Sequence, residues 1–214
     1  MSVAVKICGL NSPEAVAAAV EGGADYVGFV FYKPSPRYVT PERAAELCRL
    51  VPSGIQRVGL FVDAPEEEIR AILAAAPIDM LQLHGKEDPD WIVDAKLRLK
   101  RPIMKAVAIS GPEDVLRARR YDETADMLLF DAKPPSGPQA LPGGNGLAFD
   151  WRLLAGKTWR RPWMLSGGLT AENVAEAVRL TGAPAVDVSS GVESAPGKKD
   201  PDKIREFLAA AKAP

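Results

Sequence analysis

The sequence predicts an α/β fold, a (β/α)8 (TIM) barrel built as one compact domain over residues 1–214, and three observations predict it. Eight short apolar runs of β type, VAVKI, YVGFVF, QRVGLFV, MLQL, PIMKAV, MLLF, WMLS and AVDVS, begin near residues 4, 26, 56, 80, 103, 127, 163 and 185. They alternate with segments of helical periodicity, and successive starts lie 22 to 36 residues apart, room for one βα unit each time. A doubly wound open sheet normally carries G-x-G-x-x-G after its first strand, and KICGLNSPEA lacks it.

The helical segments follow in order. In SPEAVAAAVEGGA, Ser12 can cap, Pro13 suits the first turn, and Gly22-Gly23 can end the helix. TPERAAELCRLV, APEEEIRAILAAA, DPDWIVDAKLR, GPEDVLRARR, FDWRLLAG, TAENVAEAVRLTG and DPDKIREFLAAAK continue the alternation, most with a capping residue or proline at the start. The longest interval holds DAKPPSGPQALPGGNGLAFDW, whose prolines and glycines make a long loop; at the catalytic face such a loop is expected to act as a lid.

Composition narrows the functional classes. With 214 residues, 47% of them apolar, the chain can bury one full core. Its 27 basic and 28 acidic residues leave a net charge of −1, so nothing draws it broadly to nucleic acid or an anionic membrane, and an anionic ligand must be held locally. Cys8 and Cys48 are too few for a disulfide framework, and with one His they make no common zinc site, which points to a reducing cytoplasm. No apolar run approaches the roughly 20 residues of a membrane span, and MSVAVKICGL has neither a basic n-region nor a sustained apolar h-region.

In a parallel barrel the active groups project from the C-terminal ends of strands. There the sequence places Cys8, Asp63, His84, Asp131, Ser166 and the stretch Asp187 to Gly191. LSGGLTAENV and VDVSSGVES, after the seventh and eighth runs, are small-residue turns whose backbone N–H groups can converge on a phosphate. Either turn alone is ordinary; two on adjacent strands predict a phosphate site at Gly167, Gly168 and Gly191. Arg37, between the prolines of YKPSPRYVTPE, can pair with a substrate carboxylate or be a solvated surface residue. His84 is equally readable as a structural histidine, and Cys48, inside PERAAELCRL, as core.

KICGL, GFVFYKPSPRYV, QLHG, FDAK, GGNGLAFDW, LSGGL and VDVSSGVE, in order from Lys6 to Glu193, resemble the phosphoribosylanthranilate isomerases of tryptophan biosynthesis. One position departs: the family's glycine loop usually reads Gly-Gly-Thr-Gly, and Asn145 stands at the threonine, with an amide that can donate and accept. The resemblance implies Cys8 as general base, Asp131 as general acid, Arg37 as binder of the anthranilate carboxylate, and the turns at Gly167-Gly168 and Ser190-Gly191 as phosphate binders. His84, Gly143, Gly144 and Asp187 are expected to contact the rest of the substrate.

The implied reaction is an Amadori rearrangement of a small phosphoribosyl substrate. An acid protonates the ring oxygen as the sugar opens, and a base takes the C2 proton of the resulting iminium. These steps call for no metal, redox cofactor or Schiff-base lysine, so no cofactor is expected, and the assembly is read as monomer or homodimer. Cys8 must act deprotonated while Asp131 is protonated. Either the site pushes the two proton affinities in opposite directions, or a small fraction carries the activity.

The related histidine-pathway isomerase would place an aspartate where Cys8 stands. A sugar-phosphate epimerase would need several metal-binding histidines, and indole-glycerol-phosphate synthase would need barrel lysines and a longer N-terminus. A non-catalytic phosphoribosyl-binding barrel would need neither proton-transfer residue.

Overall fold

Eight parallel strands, each starting at the residue where an apolar run was expected to begin, close into a barrel: β1 (Ala4–Cys8), β2 (Tyr26–Val30), β3 (Gln56–Phe61), β4 (Met80–Leu83), β5 (Ile103–Ile109), β6 (Met127–Ala132), β7 (Trp163–Leu165) and β8 (Ala185–Val188). The structure is a computed structural model that describes residues 3–134 and 143–213. Pairing of β8 with β1, Ala4 opposite Ala185 and Lys6 opposite Asp187, closes the ring. Residues 135–142, part of the loop expected to form a lid, lie outside the described residues.

Strand alternation sorts the side chains into two cores. Val58, Met80, Met104, Ala106, Met127, Leu129, Met164 and Ala185 make one cluster inside the barrel. Val5, Ile7, Val27, Phe29, Phe61, Leu81 and Phe130 belong to the larger core between barrel and helices. The helices are α1 (Pro13–Glu21), α2 (Pro41–Cys48), α3 (Glu66–Ala75), α4 (Pro89–Leu99), α5 (Pro112–Ala118), α6 (Val174–Thr181) and α7 (Pro201–Lys212). Ser12, Thr40, Asp88 and Asp200 cap four of them by accepting from N–H groups of the first turn.

Two local differences from the sequence expectation have physical causes. FDWRLLAG forms only a four-residue 3-10 turn, Trp151–Leu154, because the Asp150 cap and the left-handed Gly156 leave too few residues for a second α turn. After β8 the chain adds a 3-10 turn, Ser190–Val192, and a small antiparallel hairpin, β9 (Glu193–Ala195) with β10 (Lys198–Lys199).

At the N-terminal face one aspartate precedes each of β2, β4 and β6. Asp25, Asp79 and Asp126 each accept, through Oδ2, from the backbone N–H of a residue in the preceding strand, Val5 (2.8 Å), Arg57 (2.9 Å) and Ile103 (2.9 Å). The same aspartates donate their own N–H to the carbonyls of those three residues. These clamps register the strands in pairs, on the face of the barrel that serves stability. Asp126→Ala should therefore cost about 1–2 kcal/mol, a few degrees in Tm, with kcat retained. Thermal unfolding alongside steady-state kinetics checks this, and a loss of kcat with unchanged Tm would contradict it.

Candidate active site

The alternation that fills the lower barrel with methionine and valine turns polar residues inward at its C-terminal mouth. One pocket there is lined by Cys8, Arg37, His84, Asp131, Gly143, Gly144, Gly167, Gly168, Asp187, Ser190 and Gly191, so every site residue expected from the sequence comes together. Asp63 is the exception among the strand-end residues considered. It does not line the pocket; at φ +48° it accepts from the Lys86 N–H (2.6 Å) and donates its own to Glu87 (3.0 Å), tying two loops together.

Cys8 is 4% exposed, and two residues earlier Lys6 is fully buried. The Lys6 ammonium donates to Asp187 Oδ1 (2.8 Å) and is close enough to Cys8 for the two groups to influence each other's charge. Burial alone would lower the Lys6 pKa; Asp187 and Cys8 outweigh it and raise it. For Cys8 the balance falls the other way. Burial pushes the thiol up, Asp187 adds to that, and the nearby Lys6 and Lys199 only partly oppose it. Of the two alternatives, shifted proton affinities or a small active fraction, the raised thiol speaks against the first for Cys8: without substrate the thiol is the favoured form, because the thiolate forfeits its hydration.

Asp131 ends β6, where Oδ1 accepts from the Ala132 N–H (2.9 Å) and Oδ2 stands 3.3 Å from His84 Nε2. His84 is held in turn by Gln82, whose Nε2 lies 3.0 Å from Nδ1. As oriented, this amide leaves Gln82 Oε1 buried without a partner among the described residues, and His84 Nε2–H faces the carboxylate. Turned over, the amide accepts from Nδ1–H and lets Nε2 accept from a protonated Asp131. The two orientations suit the two charge states of Asp131. Gly143 lies across this pair: a Cβ there would come within 2.9 Å of Asp131 Oδ2 and 2.7 Å of the imidazole.

At the opposite wall, Gly167 and Gly168 take φ of +88° and +68°, values that favour glycine, and among the described residues their N–H groups make no hydrogen bond within the protein. Asn173 braces this turn by donating to the Gly168 carbonyl (2.9 Å) and accepting from the Thr170 N–H (2.8 Å). Ser190 and Gly191 stand beside it in the pocket wall. Such N–H groups on facing turns can hold a phosphate without a cationic side chain.

Arg37 is 5% exposed, not solvated. Its Nε and Nη2 pair with Glu193 at 2.7 and 2.9 Å, and Nη2 also donates to the Gly144 carbonyl (3.1 Å). Lys199 donates to the same carboxylate (2.8 Å).

Sequence reasoning missed Lys6, Gln82, Glu193 and Lys199. A signal existed for the first two, since each stands two residues before a site residue, Cys8 or His84, and so on the same inward face. Glu193 ends the motif VDVSSGVE, which gave it no role of its own, and Lys199 carried no signal; the hairpin after β8 brings both inside.

Comparison with known proteins agrees with this geometry. The family model described as N-(5'phosphoribosyl)anthranilate (PRA) isomerase matches residues 5–210. N-(5'-phosphoribosyl)anthranilate isomerases of Rhodospirillum centenum and Paracoccus denitrificans are 59% and 58% identical, covering 100% of this chain and 100% and 99% of those proteins. Among solved structures, the phosphoribosyl anthranilate isomerase of Thermotoga maritima superposes with a TM-score of 0.87 at 41% identity over 98% of each chain. A phosphoribosyl anthranilate isomerase in complex with reduced 1-(o-carboxyphenylamino)-1-deoxyribulose 5-phosphate superposes at 0.84, with 39% identity and 98% of each chain covered. An inward cysteine on β1, an inward aspartate on β6 and glycine turns after β7 and β8, on a chain matched along nearly its whole length, place it in the N-(5'-phosphoribosyl)anthranilate isomerase family.

Proposed function

We propose that this chain, as a single barrel domain in the cytoplasm, converts N-(5-phosphoribosyl)anthranilate to 1-(2-carboxyphenylamino)-1-deoxyribulose 5-phosphate, the Amadori step of tryptophan biosynthesis. The observation that carries the reading is the convergence of Cys8 and Asp131 on one pocket between Arg37 and the two glycine turns. A substrate with a carboxylate at one end and a phosphate at the other fits between them, with its sugar between the two proton-transfer groups.

Protonated Asp131 gives its proton to the furanose ring oxygen as the C1–O bond breaks, leaving an iminium at C1 and nitrogen. The Cys8 thiolate then takes the C2 proton, and the electron pair of that C–H bond becomes the C1–C2 double bond of an enolamine, which tautomerises to the ketone. His84 holds the Asp131 carboxyl, and Lys6, beside the sulfur, favours the thiolate when it forms. The buried thiol makes the thiolate scarce in the free enzyme, so the active fraction is small. The reducing cytoplasm keeps both cysteines free. The assembly is a monomer or homodimer; a related Thermotoga maritima enzyme is described as dimeric, with monomers derived from it.

Growth of a tryptophan auxotroph lacking this one step, on minimal medium, tests the function in cells. Conversion of the substrate by purified protein, read as the appearance of a ketone carbon by NMR, tests it directly. Without either, the proposed activity is wrong.

Cys8→Ala should lower kcat by about 100- to 10,000-fold while leaving the fold intact. Retention of more than about a tenth of the wild-type value would remove Cys8 as the base. Cys48, 1% exposed on α2 with its thiol pushed by burial to about 11, is the control, and Cys48→Ala should change stability alone.

The pH profile carries a sign. Because burial raises the thiol and activity needs it deprotonated with Asp131 protonated, kcat/KM should fall along an alkaline limb that lies above the ordinary thiol value of about 8.5, and substitution assigns that limb to Cys8. Cys8→Ser should keep a weak rate without that limb, as kcat/KM against pH would reveal. If the limb persisted unmoved, Cys8 would not be the titrating base.

A further inference from the structure

The hairpin β9–β10 lies outside the barrel proper, yet two of its side chains are buried beside the pocket. Glu193 is 9% and Lys199 7% exposed. Glu193 Oε1 accepts from Arg37 Nε and from Lys199 Nζ, and Oε2 accepts from Arg37 Nη2 and the Gly197 N–H (3.3 Å). Lys199 Nζ further donates to the Ser189 carbonyl (2.8 Å) and hydroxyl (3.1 Å), and that hydroxyl donates to the Cys8 carbonyl (3.1 Å). Gly197, at the hairpin turn with φ +77°, packs against the Pro36 backbone and accepts from Asn11 (2.8 Å). The hairpin is thereby fastened to the loop that carries Arg37.

An arginine paired bidentately with one carboxylate is a neutral unit and has little attraction for a second carboxylate. With Lys199 on the same carboxylate the cluster carries one net positive charge. Its free edge is Arg37 Nη1, which makes no hydrogen bond among the described residues and abuts Gly144 in the pocket wall. We propose that Glu193 and Lys199 are positioning residues for substrate recognition: Glu193 aims the Arg37 guanidinium, and Lys199 restores the positive charge that the Arg37–Glu193 pair would otherwise cancel, so that the cluster holds the aromatic carboxylate of the substrate. The proposal rests on the reading of Arg37 as the carboxylate binder.

The groups facing Lys199 are Glu193 on β9, Arg37 in the loop after β2 and Cys8 on β1, while Lys203 of α7 donates to the Glu193 backbone carbonyl (2.9 Å). Burial lowers the Lys199 ammonium to about 8, with Glu193 opposing and Arg37 adding to the shift. Glu193 stays ionised, because Arg37 and Lys199 outweigh its burial and hold its pKa below the ordinary carboxylate range. The cluster charge therefore falls from +1 toward zero as pH rises through the titration of Lys199.

The test compares two probes by calorimetry, reduced 1-(o-carboxyphenylamino)-1-deoxyribulose 5-phosphate and its phenylamino counterpart without the carboxyl group. In the wild type the preference for the carboxylate probe should fall by several-fold between about pH 7 and pH 9.5, and in Lys199→Arg it should stay level. Lys199→Met should weaken the carboxylate probe about tenfold, leave the other nearly unchanged, and raise KM far more than it lowers kcat.

Glu193→Gln decides between charge and aim. Removing a negative charge would by itself tighten the carboxylate probe, whereas loss of aim loosens it, and loosening is expected. A pH-independent preference in the wild type, equal weakening of both probes in Lys199→Met, or tighter binding in Glu193→Gln would overturn the proposal. Arg37→Met separates the two readings. If it leaves the preference for the carboxylate probe intact, Arg37 is not the binder; if it abolishes the preference while the hairpin variants keep it, only the positioning role fails.

Discussion

A charge inside a protein must find its opposite, and this constraint organises the mouth of the barrel. The fully buried Lys6 ammonium exists because Asp187 lies 2.8 Å from it on the neighbouring strand, in a register fixed by the pairing of β1 with β8. That pair sets the field in which Cys8 sits two residues further along β1. One partner favours the thiolate and the other opposes it, so burial decides, and the resting sulfur keeps its proton. A second group, Arg37 with Glu193 and Lys199, answers the same constraint and is linked to the Cys8 carbonyl through the Ser189 hydroxyl. Lys105 shows the structural form of the rule, with Glu87 at 2.8 Å, two backbone carbonyls and the Tyr121 ring accounting for its charge away from the pocket.

The fold was legible because it rests on local and periodic features. Eight strands begin where eight apolar runs begin, and most helices begin at a visible proline or capping residue. Failures occurred where a segment was too short for its periodicity to mean much, as at Trp151–Leu154, and where chain reversal depended on packing, as in the hairpin after Glu193. The aspartates before β2, β4 and β6 were visible as residues, but nothing local says that each reaches the strand before it.

The site was legible in part for the same reason. Strand ends in a parallel barrel converge, so Cys8, His84, Asp131 and Asp187 could be gathered without knowing any distance. Asp63 obeys the same rule and breaks it, because a left-handed backbone turns its carboxylate into a neighbouring loop. Lys6 and Gln82 stand inward by simple alternation, yet a lysine in an apolar run suggests an edge or a solvated end until the Asp187 partner is seen. Nothing local in VESAPGKKD says that Glu193 and Lys199 are buried against Arg37; only tertiary contact does.

Keeping Cys8 neutral at rest has a consequence for when the base acts. With a thiol, the Lys6–Asp187–Cys8 group carries no net charge, and forming the thiolate alone would leave an unmatched negative charge in a dry pocket. On the proposed mechanism, proton donation by Asp131 opens the sugar and creates an iminium, a positive charge in the same pocket. The thiolate is then paired by the substrate itself, and the electrostatic penalty that suppresses it in the empty site falls when C2 becomes acidic. A permanently ionised cysteine would have needed another buried cation and would have offered a reactive nucleophile at all times. On the proposed mechanism the raised thiol is therefore compatible with a base at Cys8, because the iminium supplies the positive charge that the thiolate lacks in the empty site.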